Sequence, residues 1–169
     1  MNLKLEKAKR GQISEICDLV NLAYRGDVGW TRETDIVAGN RTTVDEIESS
    51  MTSEDSHFLV AMMDHKIVSC VCIQKDRNQA HIGLFAVHPD MQGTGIGSHI
   101  LAQVENFSAN VLNVSQYVMV VVSQRSELIA YYERRGYKRT GDVKAYPDHL
   151  NVGVPIAEKL TIDYLVKNG

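Results

Sequence analysis

The sequence predicts an α/β domain built on a mixed sheet with helices on both faces. Three observations predict it. Apolar residues recur at helical spacing in four segments, and short apolar runs bounded by polar turns lie between them. The two kinds of segment then follow in the order β, α, α, three strands, α, β, α, β, β, which mixes hairpins with helical crossovers.

The residues justify each element in turn. "NLKLEKA" alternates apolar and polar positions and predicts a short first strand. Ile13, Ile16, Cys17, Val20 and Tyr24 fall on one face of a helix over residues 12–25. Residues 26–42 have no clean period and hold the only tryptophan, Trp30, among charges of both signs. An irregular stretch of that length inside a compact domain is often functional. Thr43 and Glu46 have capping-box spacing and start a second helix carrying Val44, Ile47 and Met51. "HFLVAMMD" and "KIVSCVCIQKD" flank a polar turn at Asp64-His65 as a hairpin, and a turn near Asp76-Arg77-Asn78 leads into "AHIGLFAVH". Ile96, Ile100, Val104 and Phe107 mark a third helix. "YVMVVVS" is apolar almost throughout, as a strand covered on both faces is. "SELIAYYERR" is helical, has arginines in its last turn and ends at Gly136. Residues 137–142 are a candidate strand and "KLTIDYLVK" is the last one. No repeat, low-complexity tract or linker interrupts the series, so residues 1–169 are expected to form a single domain.

Composition narrows the function classes. An apolar content of 44% with 23% charged residues is ordinary for a soluble globular protein. A formal net charge of −3 gives no pull toward nucleic acid or anionic lipid. No charged-then-apolar leader opens the sequence, and no run approaches the roughly 18 apolar residues of a membrane helix. The chain is therefore expected to be soluble and cytoplasmic, with no membrane or nucleic-acid partner. Cys17, Cys70 and Cys72 cannot all pair, and the last two share a strand face, so buried free thiols are expected. His57, His65, His88, His99 and His149 show no metal-ligand spacing, and no metal is expected.

The most informative stretch is "FAVHPDMQGTGIGSHIL", where an apolar strand gives way to Gly93, Gly95 and Gly97 before a helix begins. Between strand and helix, exposed backbone N–H groups and the positive end of the helix dipole converge on an anion. Glycines let a phosphate approach because no Cβ stands in the way. A turn that needs positive φ is the alternative explanation. A P-loop would need Lys-Ser/Thr after its last glycine, where Ser98-His99 stands here. A dinucleotide fingerprint would follow the first strand rather than the fourth.

Gln92-Gly93-Thr94-Gly95-Ile96-Gly97 matches Q/R-x-x-G-x-G/A and resembles the acyl-CoA pyrophosphate loop of the GNAT N-acetyltransferase superfamily. "LIAYYERRGYKRTGD" looks like that family's second motif, and the element order agrees with its fold. The resemblance is strong over residues 80–140. It implies a mostly antiparallel sheet splayed between the fourth and fifth strands, with acetyl-CoA entering the gap. It further implies that the backbone of Phe85, Ala86 and Val87 takes the pantetheine arm. The N–H groups across Gln92, Gly93, Thr94, Gly95, Ile96, Gly97 and Ser98 would take the pyrophosphate, Gln92 bracing the loop with its side chain.

An acetyl transfer needs a neutral amine and a proton for the departing thiolate. The resemblance makes Tyr132, four residues before Gly136, the candidate acid, while Tyr131 suits a core aromatic. His81 stands where many relatives have a glutamate base, eleven residues before Gln92. It is a candidate base or a structural histidine. Strand alternation puts it on one face with Gly83, Phe85 and Val87. Arg125 holds a place where the family often has Asn; it bonds the cofactor arm or a phosphate, or points to solvent.

In the family the acceptor is read by the first two helices and the loop before the last strand, here residues 26–42 and "AYPDHLNVGVP". Trp30 is an acceptor wall or a lid over the core. Asp27, Glu33 and Asp35 suit a cationic amine, and Arg32 and Arg41 a carboxylate; both signs together suit an amino-acid-like substrate or a solvated loop. The expected activity is direct acetylation of a small-molecule primary amine, since no cysteine occupies a motif position. A protein or peptide amine is an alternative acceptor, and a non-catalytic acyl-CoA-binding regulatory module the contrasting class. Homodimers are frequent among relatives.

Overall fold

A computed structural model describes residues 2–25, 37–147, 153–155 and 160–169. The first strand, β1 (Leu5–Lys7), precedes a 3₁₀ turn and the helix α1 (Ile13–Arg25). α1 buries Ile13, Ile16, Cys17, Leu19, Val20 and Ala23, the stripe that its spacing predicts. α2 (Val44–Thr52) starts where Thr43 Oγ1 accepts the Glu46 N–H at 3.2 Å, satisfying one orphan donor of the first turn.

Two tight hairpins follow. β3 (Ser56–Met63) turns into β4 (Lys66–Asp76) through Asp64 and His65, both at positive φ, as the primed two-residue turns require. Asp and His tolerate that region better than most residues. β4 turns into β5 (Gln79–Val87) through Arg77, at φ 56°, and Asn78. Beyond β5 come α3 (Ile96–Asn110), β6 (Gln116–Val122), α4 (Ser126–Glu133), β7 (Lys138–Ala145) and β9 (Thr161–Asn168), the last after a two-residue strand β8 (Val154–Pro155).

The seven-stranded sheet runs β1-β3-β4-β5-β6-β9-β7. Every neighbouring pair is antiparallel except β5 with β6. α1 and α2 cover one face through Ile16, Val20 and Ile47, against Phe58, Val60 and Cys70. α3 and α4 cover the other through Ile100, Val104 and Ile129, against Val71, Ile73 and Ile82. Cys70 and Cys72 both point toward α1, and all three cysteines are free. No helix among the described residues is long and apolar enough to cross a membrane.

Two departures from the predicted elements lie on one side of the molecule. A short strand, β2 (Val37–Ala38), pairs antiparallel with β8 in segments that carry no period. Two-residue strands are too short to leave an alternation in the sequence. β7 extends to Ala145, beyond the expected end at 142, with a register irregularity between Arg139 and Val143. Arg25 ties the end of α1 to this region, donating to the Gly39 carbonyl at 2.9 Å and to the Tyr146 hydroxyl at 3.1 Å.

Candidate functional site

The site begins where the sheet parts. β5 and β6 are paired only from Gln79–Gln116 to Ile82–Met119; beyond that they diverge, each keeping its outer partner. A bulge sits at the point of parting. Two steps along β4, from Cys70 to Cys72, are matched by three along β5, from Ala86 to Gly83, and Leu84 takes φ 49°. The extra residue reverses the alternation. Gln74 and His81 pair on the face toward α1, whereas Phe85 and Val87 pack on the face toward α3. His81 therefore does not share a face with Phe85 and Val87, contrary to what strict alternation predicts.

Past β5 the chain makes a 3₁₀ turn and enters the glycine loop. Gly93 and Gly95 have φ of 78° and 88°, with open space where a Cβ would stand. Gly95 is the N-cap of α3 and supplies no side-chain acceptor. The first backbone bond of that helix is His99 N–H to the Gly95 carbonyl, at 3.1 Å. The N–H groups of residues 93–98 accordingly have no hydrogen-bond partner among the described residues. Positive φ makes the turn, and the turn leaves six donors bare at the positive end of a helix. Gln92 Nε2 donates to the Val87 carbonyl at 3.0 Å and braces the loop. The Ala86 carbonyl accepts from Ser69 Oγ at 2.8 Å.

Gly97 has a different reason to be glycine. A Cβ there would lie 2.9 Å from the Tyr131 hydroxyl, so its smallness admits a tyrosine rather than a ligand. Tyr131 is accordingly not a plain core aromatic. Its hydroxyl is 3.2 Å from Ser98 Oγ, and the Arg135 guanidinium lies 3.4 Å from its ring centroid. Arg135 also donates from Nε to Ser98 Oγ at 2.9 Å and from Nη1 to the Tyr131 carbonyl at 2.8 Å. Sequence reasoning missed Arg135; its signal was a basic residue one position before the motif glycine, in the turn that ends α4.

These residues line a cavity of about 390 Å³, bounded by Phe85, Ala86, Val87, the glycine loop, Arg125, Tyr131, Tyr132 and Arg135. A second cavity of about 400 Å³ opens on the other side of the parted strands, with Arg41, Cys72, Gln74, His81, Tyr146 and Tyr164 in its wall. Tyr24, Phe85, Arg125, Leu128 and Tyr132 belong to both. Tyr132 therefore stands at the junction. Its ring is fixed by edge-on contacts with Tyr131 and Tyr137, with centroids 5.4 and 5.9 Å away. Burial, followed by the neighbouring Tyr24, pushes its phenol well above the ordinary tyrosine range, and Arg125 and Arg135 oppose this only in part. His81 Nε2 is buried without a partner in the second cavity. The Cys72 thiol is pushed up to about 11 by burial first and by Glu46 second.

The structure thus gathers Phe85, Ala86, Val87, Gln92, Gly93, Gly95, Gly97, Ser98 and Tyr132 around one cavity and sets His81 in the next. Arg125, without a firm role from the sequence, borders both and lies over the Tyr24 ring at 5.9 Å. Asp27, Trp30, Arg32, Glu33 and Asp35 lie outside the described residues.

A parted mixed sheet with bare amides at its mouth is the arrangement to set beside known proteins. Residues 33–151 match the acetyltransferase (GNAT) domain family, and the chain belongs to it. An uncharacterized N-acetyltransferase of Methanocaldococcus jannaschii is 30% identical over 96 residues, 57% of this chain. The match spans 60% of that relative's length. Among solved structures, the ribosomal-protein-S18-alanine N-acetyltransferase of Escherichia coli superposes with a TM-score of 0.71 at 14% identity, over 98% of this chain and 93% of its own. Spermidine N-acetyltransferase of Vibrio cholerae, solved with CoA and spermine, gives 0.73 at 15% identity, over 98% and 95%. At such identities these two likenesses speak for the fold.

Proposed function

We propose that this protein is an N-acetyltransferase that moves an acetyl group from acetyl-CoA directly to a primary amine of a small molecule. The observation that carries the reading is the row of six unpartnered amides, residues 93–98, at the mouth of a gap leading past Tyr132 into a second cavity. Those amides, with Arg135 and Arg125 beside them, would hold the diphosphate of acetyl-CoA, and the unpaired edge of β5 its arm. Acetyl-CoA, when bound, supplies an acyl carbon activated as a thioester, from which a neutral amine yields an amide and free CoA thiol.

The chain's own groups then manage protons. Tyr132, protonated because it is buried, stands between the cavities with a hydroxyl proton to give to the departing sulfur. His81 Nε2, unpartnered in the acceptor cavity, is the group to take the proton that an ammonium must lose before attack. Over one turnover the amine passes one proton from nitrogen to sulfur, and the ammonium proton leaves through the imidazole to solvent. Cys72 lines the acceptor cavity with its thiol held protonated, which favours direct transfer over an acyl-cysteine. A concave cavity of about 400 Å³ suits a small acceptor. Three free cysteines suit a reducing compartment, and we assign the activity to the cytoplasm.

The test is thiol release from acetyl-CoA against a panel of primary amines, with the acetylated product identified by mass. Turnover with a small amine is expected. Acetyl-CoA binding without turnover on any amine would make the chain a non-catalytic acyl-CoA-binding module.

A further inference from the structure

We infer that the acceptor carries a carboxylate beside its amine, and that Arg41 is the residue that reads it. The inference rests on the acetyltransferase reading and deepens it. Two buried polar atoms in the wall of the acceptor cavity lack partners: Nη1 of Arg41 and Nε2 of His81. Buried polar groups are almost always hydrogen-bonded, so each such orphan asks for an explanation. A guanidinium has no acceptor capacity, hence what Arg41 lacks is an acceptor, and the group that best fits its fork is a carboxylate. An unprotonated Nε2 on His81 lacks a donor, which an amine supplies.

Arg41 is held in place. Its backbone N–H donates to Asn21 Oδ1 at 2.8 Å, and its guanidinium lies 5.5 Å from the Tyr24 ring centroid. Tyr24 carries Arg125 as well, so two guanidinium groups border the same cavity. No Asp or Glu belongs to that wall among the described residues; Glu46 stands close enough to act on Cys72 but does not line the cavity. A polyamine brought there would meet like charge, whereas an amino-carboxylate would place its anion on Arg41 and its amine toward His81 and Tyr132. The volume of about 400 Å³ holds a molecule of amino-acid size.

The experiment uses the full chain with acetyl-CoA and measures thiol release for matched acceptors. Each α-amino acid, β-alanine and γ-aminobutyrate is paired with its carboxamide and its decarboxylated amine; spermidine, putrescine and a C-terminally amidated peptide complete the panel. The expected result is a best acceptor with a free carboxylate, whose carboxamide loses about tenfold or more in kcat/KM, mainly through KM. Arg41→Gln should erase that preference by raising KM for the carboxylate, with the carboxamide changed by less than about threefold; Arg41→Lys should keep part of it. A best acceptor that is a neutral amine, a polyamine or the peptide overturns the inference and leaves acetyl transfer standing. So does equal loss by Arg41→Gln on both members of a pair. Thiol release from no amine, with acetyl-CoA still bound, overturns the acetyltransferase reading and this inference with it. If Arg41→Gln does not fold, the matched pairs on the unaltered protein decide alone.

Discussion

The two cavities that meet at Tyr132 are built by different means. The side proposed for the cofactor is mainly main chain: six consecutive residues, 93–98, present their N–H groups because Gly93 and Gly95 turn the backbone and no side chain covers it. The acceptor side is mainly side chain, drawn from α1, β4, β5, β6, α4 and β9 and from the segments around Arg41 and Tyr146. Backbone amides suit an anion such as a diphosphate whatever side chains surround them. A site made of side chains changes its chemistry with each substitution, and the acceptor proposed above is read there.

Substitutions can break that division of labour at graded cost. The largest effect belongs at the junction. Tyr132→Phe should lower kcat about a thousandfold by removing the acid, with acetyl-CoA Kd changed by less than about threefold; equal losses in kcat and binding would make the tyrosine a cofactor prop. His81→Gln should cost about a hundredfold at neutral pH. Its defect should shrink as pH rises, because the free amine then forms without a base. A pH-independent deficit in the rate profile would remove His81 from that role.

On the cofactor side the effects should appear in binding. Gly95→Val forces a β-branched residue into positive φ, at about 1–3 kcal/mol, and sets a side chain over the amides. Acetyl-CoA Kd by titration calorimetry should rise about thirtyfold, with the acceptor KM little changed. Arg135→Met removes the guanidinium beside Ser98 and should weaken acetyl-CoA about tenfold, in a salt-dependent way. A Kd that is unmoved at low salt would leave Arg135 as loop scaffolding alone.

The sequence was legible wherever one local rule decided the structure. The α1 stripe, the Thr43 cap, the two hairpins and the glycine loop each follow from a few adjacent residues. It was illegible wherever distant residues decided. The bulge at Leu84 has only Gly83 beside it as a mark in an otherwise strand-forming run, yet it turns His81 away from Phe85. Gly97 reads like its neighbours, but the reason for it lies 34 positions on, in Tyr131. Arg135 reads as a helix-end cation, and Arg41 as a carboxylate partner or a solvated loop residue, until the fold sets the first beside Ser98 and buries part of the second.

The central claim is that naked amides beside a split in the sheet receive a CoA diphosphate. Following the ¹⁵N-amide resonances of residues 93–98 while CoA is added tests it most directly. Large shifts and slowed solvent exchange confined to that loop and to the edge of β5 are the predicted result. Saturable CoA binding that leaves those six resonances in place would contradict it.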